Sequence, residues 1–103
     1  MPHACELPAE LTIYTIGEFY PECVNWVTAP TDEHDDGCLR VAAGSVAEVD
    51  AAGVQLLLSL SNSLQRQHRR LTLVDPSQAL MSAVKTLGAC SLMRDADLKG
   101  VAP

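Results

Sequence analysis

Apolar residues recur at two different spacings along the chain, and their alternation predicts an α/β fold. Short β-prone runs are typical of strands over 5–14, 38–42 and 70–74. Helical spacing of apolar residues follows each run, over about 15–28, about 51–68 and 77–88. Because helical crossovers join parallel neighbours, this order predicts a parallel or mixed sheet of about four strands with helices packed on it.

Local signals set the boundaries of the predicted helices. Thr15 and Glu18 have the spacing of a capping box, which would start the first helix at about residue 15. Pro21 lies inside the same pattern and leaves two alternatives, a kinked first turn or a regular helix that starts near Pro21. Asp50 is placed to accept hydrogen bonds from the first free amides of the second helix. Gly88 is placed to end the third helix.

The remaining segments are predicted to be loops or tails. Residues 29–37 carry four acids and no apolar anchor, which indicates an exposed loop, and a second loop is predicted over 44–50. A short strand is predicted at 91–93, followed by a helical turn or a frayed tail over 94–103. A chain of 103 residues, of which 48% are hydrophobic, fits a single domain over 1–103.

The formal net charge of −6 argues against a nucleic-acid partner, since phosphate binding needs a cationic surface. The charge is also uneven along the sequence. Residues 1–50 hold ten acids and one base, Arg40, whereas residues 51–103 hold six bases and three acids. A partner protein could sense this polarity if folding preserves it.

The cysteines and the apolar segments indicate a soluble, cytoplasmic protein. The four cysteines lie far apart without a Cys-x-x-Cys pair or a secretion signal, so neither a disulfide framework nor a zinc site is expected. Reduced thiols in a cytoplasm are the simpler interpretation. The longest apolar stretch, Val54 to Leu60, is too short to span a bilayer, so no membrane insertion is expected.

The stretch from Gly44 to Leu58, which includes Val-Asp-Ala-Ala-Gly-Val-Gln-Leu-Leu-Leu, carries the most information. It resembles the signature of STAS domains, the family of anti-sigma-factor antagonists, in which a strand leads to an Asp-Ser/Thr-x-Gly-Leu turn that opens a helix. Ala9 to Thr12 resembles the Gly-Glu-Leu-Asp element of the family, and 71–87 resembles its later strand-helix unit. The resemblance covers roughly 5–90 and implies the STAS-like α/β fold.

In the family, this turn is a contact point for another protein. The chemistry of the turn suits such a role, because the Asp caps the helix, the Gly lets another backbone come close, and the first-turn amides favour a phosphate or a carboxylate. The resemblance therefore implies a partner-binding surface that includes six residues: Thr12, Asp50, Ala51, Ala52, Gly53 and Gln55.

Two departures from the family pattern affect regulation. The residue after the Asp is often a Ser or Thr, which a partner kinase phosphorylates to switch the complex off, but here it is Ala51, which has no hydroxyl. The acid that usually ends the Gly-Glu-Leu-Asp element is replaced by Thr12. Thr12, Thr15 and Ser45 remain as nearby hydroxyls, for which capping or loop hydrogen bonding is the alternative interpretation. The resemblance thus implies a non-catalytic regulatory protein-binding module without the usual phosphorylation site.

The sequence does not identify the partner protein. The resemblance implies that the partner is an anti-sigma-factor kinase, a chemotaxis component or the ATPase of a phospholipid transporter. The residues of the motif are similar to those of MlaB-like subunits of such transporters. No cofactor is implied. The helix over 51–68 is apolar on more than one face, with Leu56 and Leu60 partly outside the stripe that faces the sheet, so it could dock a partner, form a homodimer or pack between neighbours.

Two other candidate sites have a weaker basis. His34 lies among four acids and could suggest a metal, although a flexible acidic loop is usually only solvated. Cys90 follows Gly88 and Ala89 and leaves a cysteine-dependent enzyme as an alternative of a different class. No acid-base pair or phosphate-binding loop is recognisable at a useful spacing, so the sequence predicts a protein that is not an enzyme.

Overall fold

The computed structural model describes residues 5–29 and 37–93, and within them the chain forms five strands and three α-helices. The strands are β1 (Cys5–Glu6), β2 (Glu10–Leu11), β3 (Cys38–Ala42), β4 (Glu48–Val49) and β5 (Arg70–Val74). The helices are α1 (Ile16–Thr28), α2 (Ala51–Gln65) and α3 (Gln78–Thr86), followed by a 3₁₀ helix over Cys90–Met93. The alternating α/β order predicted from the sequence is confirmed.

The strands form two small parallel sheets. The larger has the order β1-β3-β5, with Cys38 opposite Arg70 and Ala42 opposite Val74. The smaller pairs β2 with β4 in parallel. The prediction of about four strands is therefore corrected to five. The difference arises because β2 and β4 are two residues long, which is too short to produce a hydrophobic period.

Aliphatic side chains from the sheet and all three helices build one core. Val41 and Leu73 from the sheet are fully buried, as is Leu57 from α2. Helix α1 packs beside α2, α2 lies on β5, and α3 lies against β4 and α2. Leu60 of α2 was expected partly outside the buried stripe but is only 3% exposed, because the neighbouring α1 covers it.

The start of α1 differs from the predicted capping box. Thr15 is the N-cap residue, but its side chain makes no capping hydrogen bond. Its hydroxyl instead donates to the carbonyl of Glu10 at 2.9 Å and accepts from the amide of Thr12 at 3.0 Å, so it is used within the preceding turn. The helix begins at Ile16 and contains Pro21, so a helix that starts near Pro21 is wrong.

Two other boundaries also differ. Residues 91–93 belong to the 3₁₀ helix and not to a strand, since Leu92 bonds to the carbonyl of Ala89 in a tight turn and is buried in the core. Helix α2 ends at Gln65, and the chain then turns through His68, which has a φ of 60°. Most of the predicted acidic loop, including His34, and the predicted tail over 94–103 lie outside the described residues.

Folding preserves the charge polarity of the sequence. Because β1, β3 and β5 are parallel, each helix begins at the edge where these strands end and returns to the edge where they begin. Six of the seven acids of the described chain lie at the first edge, and the seventh, Glu22, lies further along α1; the six are Glu6, Glu10, Glu18, Glu48, Asp50 and Asp75. The described bases lie in mid-β3 or towards the second edge: Arg40, Arg66, Arg69, Arg70 and Lys85.

Candidate functional site

The carboxylate of Asp50 joins two parts of the molecule at the acidic edge. Its Oδ1 accepts a hydrogen bond from the amide of Gly53 at 3.1 Å, which caps α2 as the sequence predicts. Its Oδ2 accepts from the amide of Ile13 at 3.0 Å, in the turn between β2 and α1. One side chain therefore fixes the first turn of α2 against the turn that precedes α1.

These hydrogen bonds stabilise the charged form of Asp50. The amide of Ile13 lowers the pKa of the carboxyl most, partial desolvation opposes this effect, and the amide of Gly53 lowers the pKa further. The side chain is thus an anion at neutral pH, held in one orientation at the start of α2.

We expect the lowered pKa of Asp50 to make folding stability depend on pH. Since the folded pKa lies below the unfolded value, the contribution of Asp50 is complete above about pH 4 and is lost as the pH falls through the folded pKa. Urea unfolding of the wild type and Asp50→Asn, followed between neutral and strongly acidic pH, measures this. The difference between the two curves should shrink in acid, and parallel curves at every pH would contradict the assignment.

Gly53 lies inside the fold, where α2 meets β2. It is buried, and a Cβ atom at this position would overlap the backbone oxygen of Leu11. The sequence predicts that a glycine here lets another backbone come close, and in the structure that backbone is the chain's own strand β2. Gly53 therefore shapes the turn from within and does not present a surface to solvent.

Thr12 is also turned into the structure. It is 8% exposed, and its hydroxyl donates to Oε2 of Glu10 at 2.8 Å. The oxygen of this threonine hydroxyl also accepts a hydrogen bond from the amide of Tyr14 at 3.2 Å. These bonds are those of a turn-forming threonine. Ser45 is exposed, and its hydroxyl donates to Oε2 of Glu6 at 3.1 Å.

Apolar side chains surround the turn on its outer side. Ala51 and Gln55 are exposed on α2, and Ala52 is half-buried. Next to them, across the Asp50 bridge, Ile13 is 60% exposed and Tyr14 is 86% exposed. We call the group formed by Ile13, Tyr14, Asp50, Ala51, Ala52 and Gln55 the Asp50 surface. Neighbouring large apolar residues that are mostly exposed are typical of interaction sites.

Sequence reasoning missed Ile13 and Tyr14. Both residues are β-prone and lie within the segment predicted as a strand, so the sequence offered no sign that they form an exposed turn. Local hydrogen bonds of Thr12 and Thr15 close the turn, and the bond from the amide of Ile13 to Asp50, 37 residues away, fixes it against α2. Such a long-range hydrogen bond has no local pattern.

The comparison with known families agrees with this geometry. The family model described as "Mlab, STAS domain" matches residues 5–94. The chain belongs to the STAS domain family. STAS domains generally mediate interactions between proteins and are generally non-catalytic. No curated protein matches the chain.

Burial affects two of the four thiols of this STAS domain. None of the four cysteines is in a disulfide. Burial raises the pKa of the Cys23 thiol to about 11, and the carboxylate of Glu22 adds to the effect. Burial likewise raises the pKa of Cys5. A raised pKa keeps a thiol protonated at neutral pH, which lowers its reactivity. Cys90 is exposed and begins the 3₁₀ helix that follows α3.

Within residues 5–29 and 37–93, no cluster of three or more His, Cys, Asp or Glu side chains is arranged to hold a metal ion. In the same part of the STAS domain, no helix has the length and apolar character needed to cross a membrane.

Proposed function

We propose that this STAS domain is a non-catalytic regulatory module that docks another protein through the Asp50 surface. The observation that carries the proposal is the exposed pair Ile13 and Tyr14 beside the first turn of α2, where the family motif lies. Aromatic residues at the centre of an interface commonly contribute most of the binding energy. The fixed carboxylate of Asp50 keeps this surface rigid, which lowers the entropic cost of binding.

The module is proposed to bind without a phosphorylation switch. Ala51 occupies the position that carries Ser or Thr in many STAS domains, and it is exposed but has no hydroxyl. Thr12 does not substitute for it, since its hydroxyl is buried and bonded to Glu10. Binding would then be constitutive and set by the abundance of the partner. Ala51→Ser would restore a phosphate acceptor only if a cognate kinase still recognises the turn.

The ATPase of a phospholipid transporter is the proposed partner, with this chain as its accessory subunit in the cytoplasm. The MlaB type of the matching family model favours this class over an anti-sigma-factor kinase or a chemotaxis component. The partner is proposed to be a protein and not a nucleic acid, because the described acids are concentrated at the edge that carries the Asp50 surface.

We expect Ala51→Arg to abolish partner binding while the domain stays folded. Ala51 is the exposed first residue of α2, so the arginine side chain extends into solvent and loss of binding would not reflect unfolding. Affinity capture from lysate of the native host, with mass spectrometry, compares the wild type, Ala51→Arg and the control Gln78→Arg. Gln78 is the exposed first residue of α3, so the control adds the same charge at the same helical position.

The expected result is a protein that the wild type and Gln78→Arg both retain and whose retention Ala51→Arg reduces at least about tenfold. Equal retention by all three baits would show that the Asp50 surface is not the interface. If the wild type retains nothing above a bead control, the docking function itself is wrong.

A further inference from the structure

An open groove of about 200 Å³ runs between α1 and α2, and its lining contains no charged residue. Tyr20, Val24 and Thr28 form one wall, and Leu56, Ser59 and Ser63 form the other. Tyr20 is 56% exposed and Val24 is 38% exposed. Small side chains on the α2 wall leave space that larger residues would fill.

The α1 wall extends to the Asp50 surface. The amide of Ile16 bonds to the carbonyl of Thr12 at 2.9 Å, so helical winding already begins in the turn before α1. Ile13, Gly17, Tyr20 and Val24 therefore follow one another at helical spacing on one face. All four are exposed. The apolar residues of the turn and of the groove thus form one continuous stripe.

The α2 wall begins at the same place. Ala52, Leu56, Ser59 and Ser63 recur at the same helical spacing along α2. The carboxylate of Asp50 joins the starts of the two walls, because it binds the amides of Ile13 and Gly53 together. The Asp50 surface is therefore one end of a groove that extends along α2 for about 16 Å from Ala52 to Ser63.

The charges differ along the groove. Its lining is uncharged, while the end at the Asp50 surface lies at the edge that also holds Glu10 and Glu48. Asp50 remains an anion at neutral pH. An occupant would therefore need apolar residues along its length and cationic residues at this one end.

A second copy of this chain does not suit the groove. Two concave surfaces related by a two-fold axis leave a void between them, whereas a single helix is convex and can fill one groove. A span of about 16 Å accommodates about three helical turns. An amphipathic helix in a groove between two helices is a common mode of recognition.

From these observations we propose that the groove binds one amphipathic helix of the partner protein, with Lys or Arg residues at the end next to Asp50. The proposal rests on the docking function proposed above and adds the form and chemistry of the partner element. Tyr20 and Val24 contact its apolar face, and Ser59 allows its backbone to approach α2.

A phage-displayed library of helical peptides of about 18 residues, panned on the immobilised domain, tests this proposal. We expect enrichment of peptides with an apolar stripe at helical spacing and basic residues clustered at one end. Ser59→Arg should weaken binding of the enriched peptides at least about tenfold, whereas Ser82→Arg, on the exposed face of α3, should change it less than about twofold. Both substituted residues are exposed, so both variants should fold.

Three outcomes would overturn the proposal. These are the absence of enrichment over a blank support, enriched peptides without the amphipathic pattern, and equal binding to both variants. If sedimentation shows a dimer for the wild type and a monomer for Ser59→Arg, the groove binds a second copy of this chain instead, and the proposal is wrong. If panning fails while Ala51→Arg still releases a captured protein, the helix-binding inference is wrong and the docking function stands.

Discussion

Gly53→Ala should destabilise the domain by about 3 kcal/mol or prevent folding. A Cβ at this position overlaps the backbone oxygen of Leu11, which cannot rotate away as the end of a flexible side chain could. Relief would require α2 to move away from β2, and that movement would stretch the hydrogen bonds that Asp50 makes to Ile13 and Gly53. Urea unfolding followed by circular dichroism measures the effect.

Gly17→Ala is the matched control for this substitution. Gly17 is also helical, but nothing lies within 4 Å of a Cβ built at its position. Since alanine favours a helix over glycine, Gly17→Ala should raise the free energy of unfolding by about 0.5–1 kcal/mol. Equal effects of the two substitutions would show that close packing at Gly53 is not what requires a glycine there.

Leu11→Ala should lower the free energy of unfolding by about 2–5 kcal/mol. Its side chain is fully buried, at 0% exposure, between β2 and the first turn of α2, so truncation leaves a cavity directly beneath the Asp50 surface. The same substitution at Leu87, which is 48% exposed, should change stability by less than about 0.5 kcal/mol. Thermal and urea unfolding of both variants provide the comparison, and similar losses would contradict the placement of Leu11 in the core.

The elements that the sequence predicts best are those whose pattern is long or whose signal is local. Strands β3 and β5 have the predicted bounds, because apolar residues alternate with polar ones along each five-residue segment. The start of α2 follows from Asp50, whose capping hydrogen bond lies within three residues. The STAS motif from Gly44 to Leu58 contains this helix start, which is why the family could be recognised from the sequence.

The elements that the sequence predicts poorly depend on contacts between distant residues. Strands β2 and β4 are held by pairing with each other and are too short to have a period of their own. The hydroxyl of Thr15 could cap α1, but it bonds to Glu10 because the preceding turn brings that carbonyl close. Local propensity alone does not decide whether this hydroxyl bonds to the amides of α1 or to the carbonyl of Glu10.

The candidate site shows the same division. Asp50, Ala51 and Gln55 lie together at an accessible turn, whereas Thr12 and Gly53 are buried and support that turn from within. A sequence motif identifies residues that are needed together but does not separate those that face solvent from those that hold the backbone. Tyr14 has no place in the motif, and its exposure follows only from the folded turn.

Site-specific photo-crosslinking from Tyr14 in the native host is the most direct test of the docking function. A photoreactive phenylalanine replaces Tyr14, which is 86% exposed, and Leu87, the C-cap residue of α3, which is 48% exposed, serves as the control position. Our account predicts a discrete covalent adduct with another protein from position 14 that is absent from position 87. No adduct from position 14, or the same adducts from both positions, would contradict the claim that the Asp50 surface docks a partner.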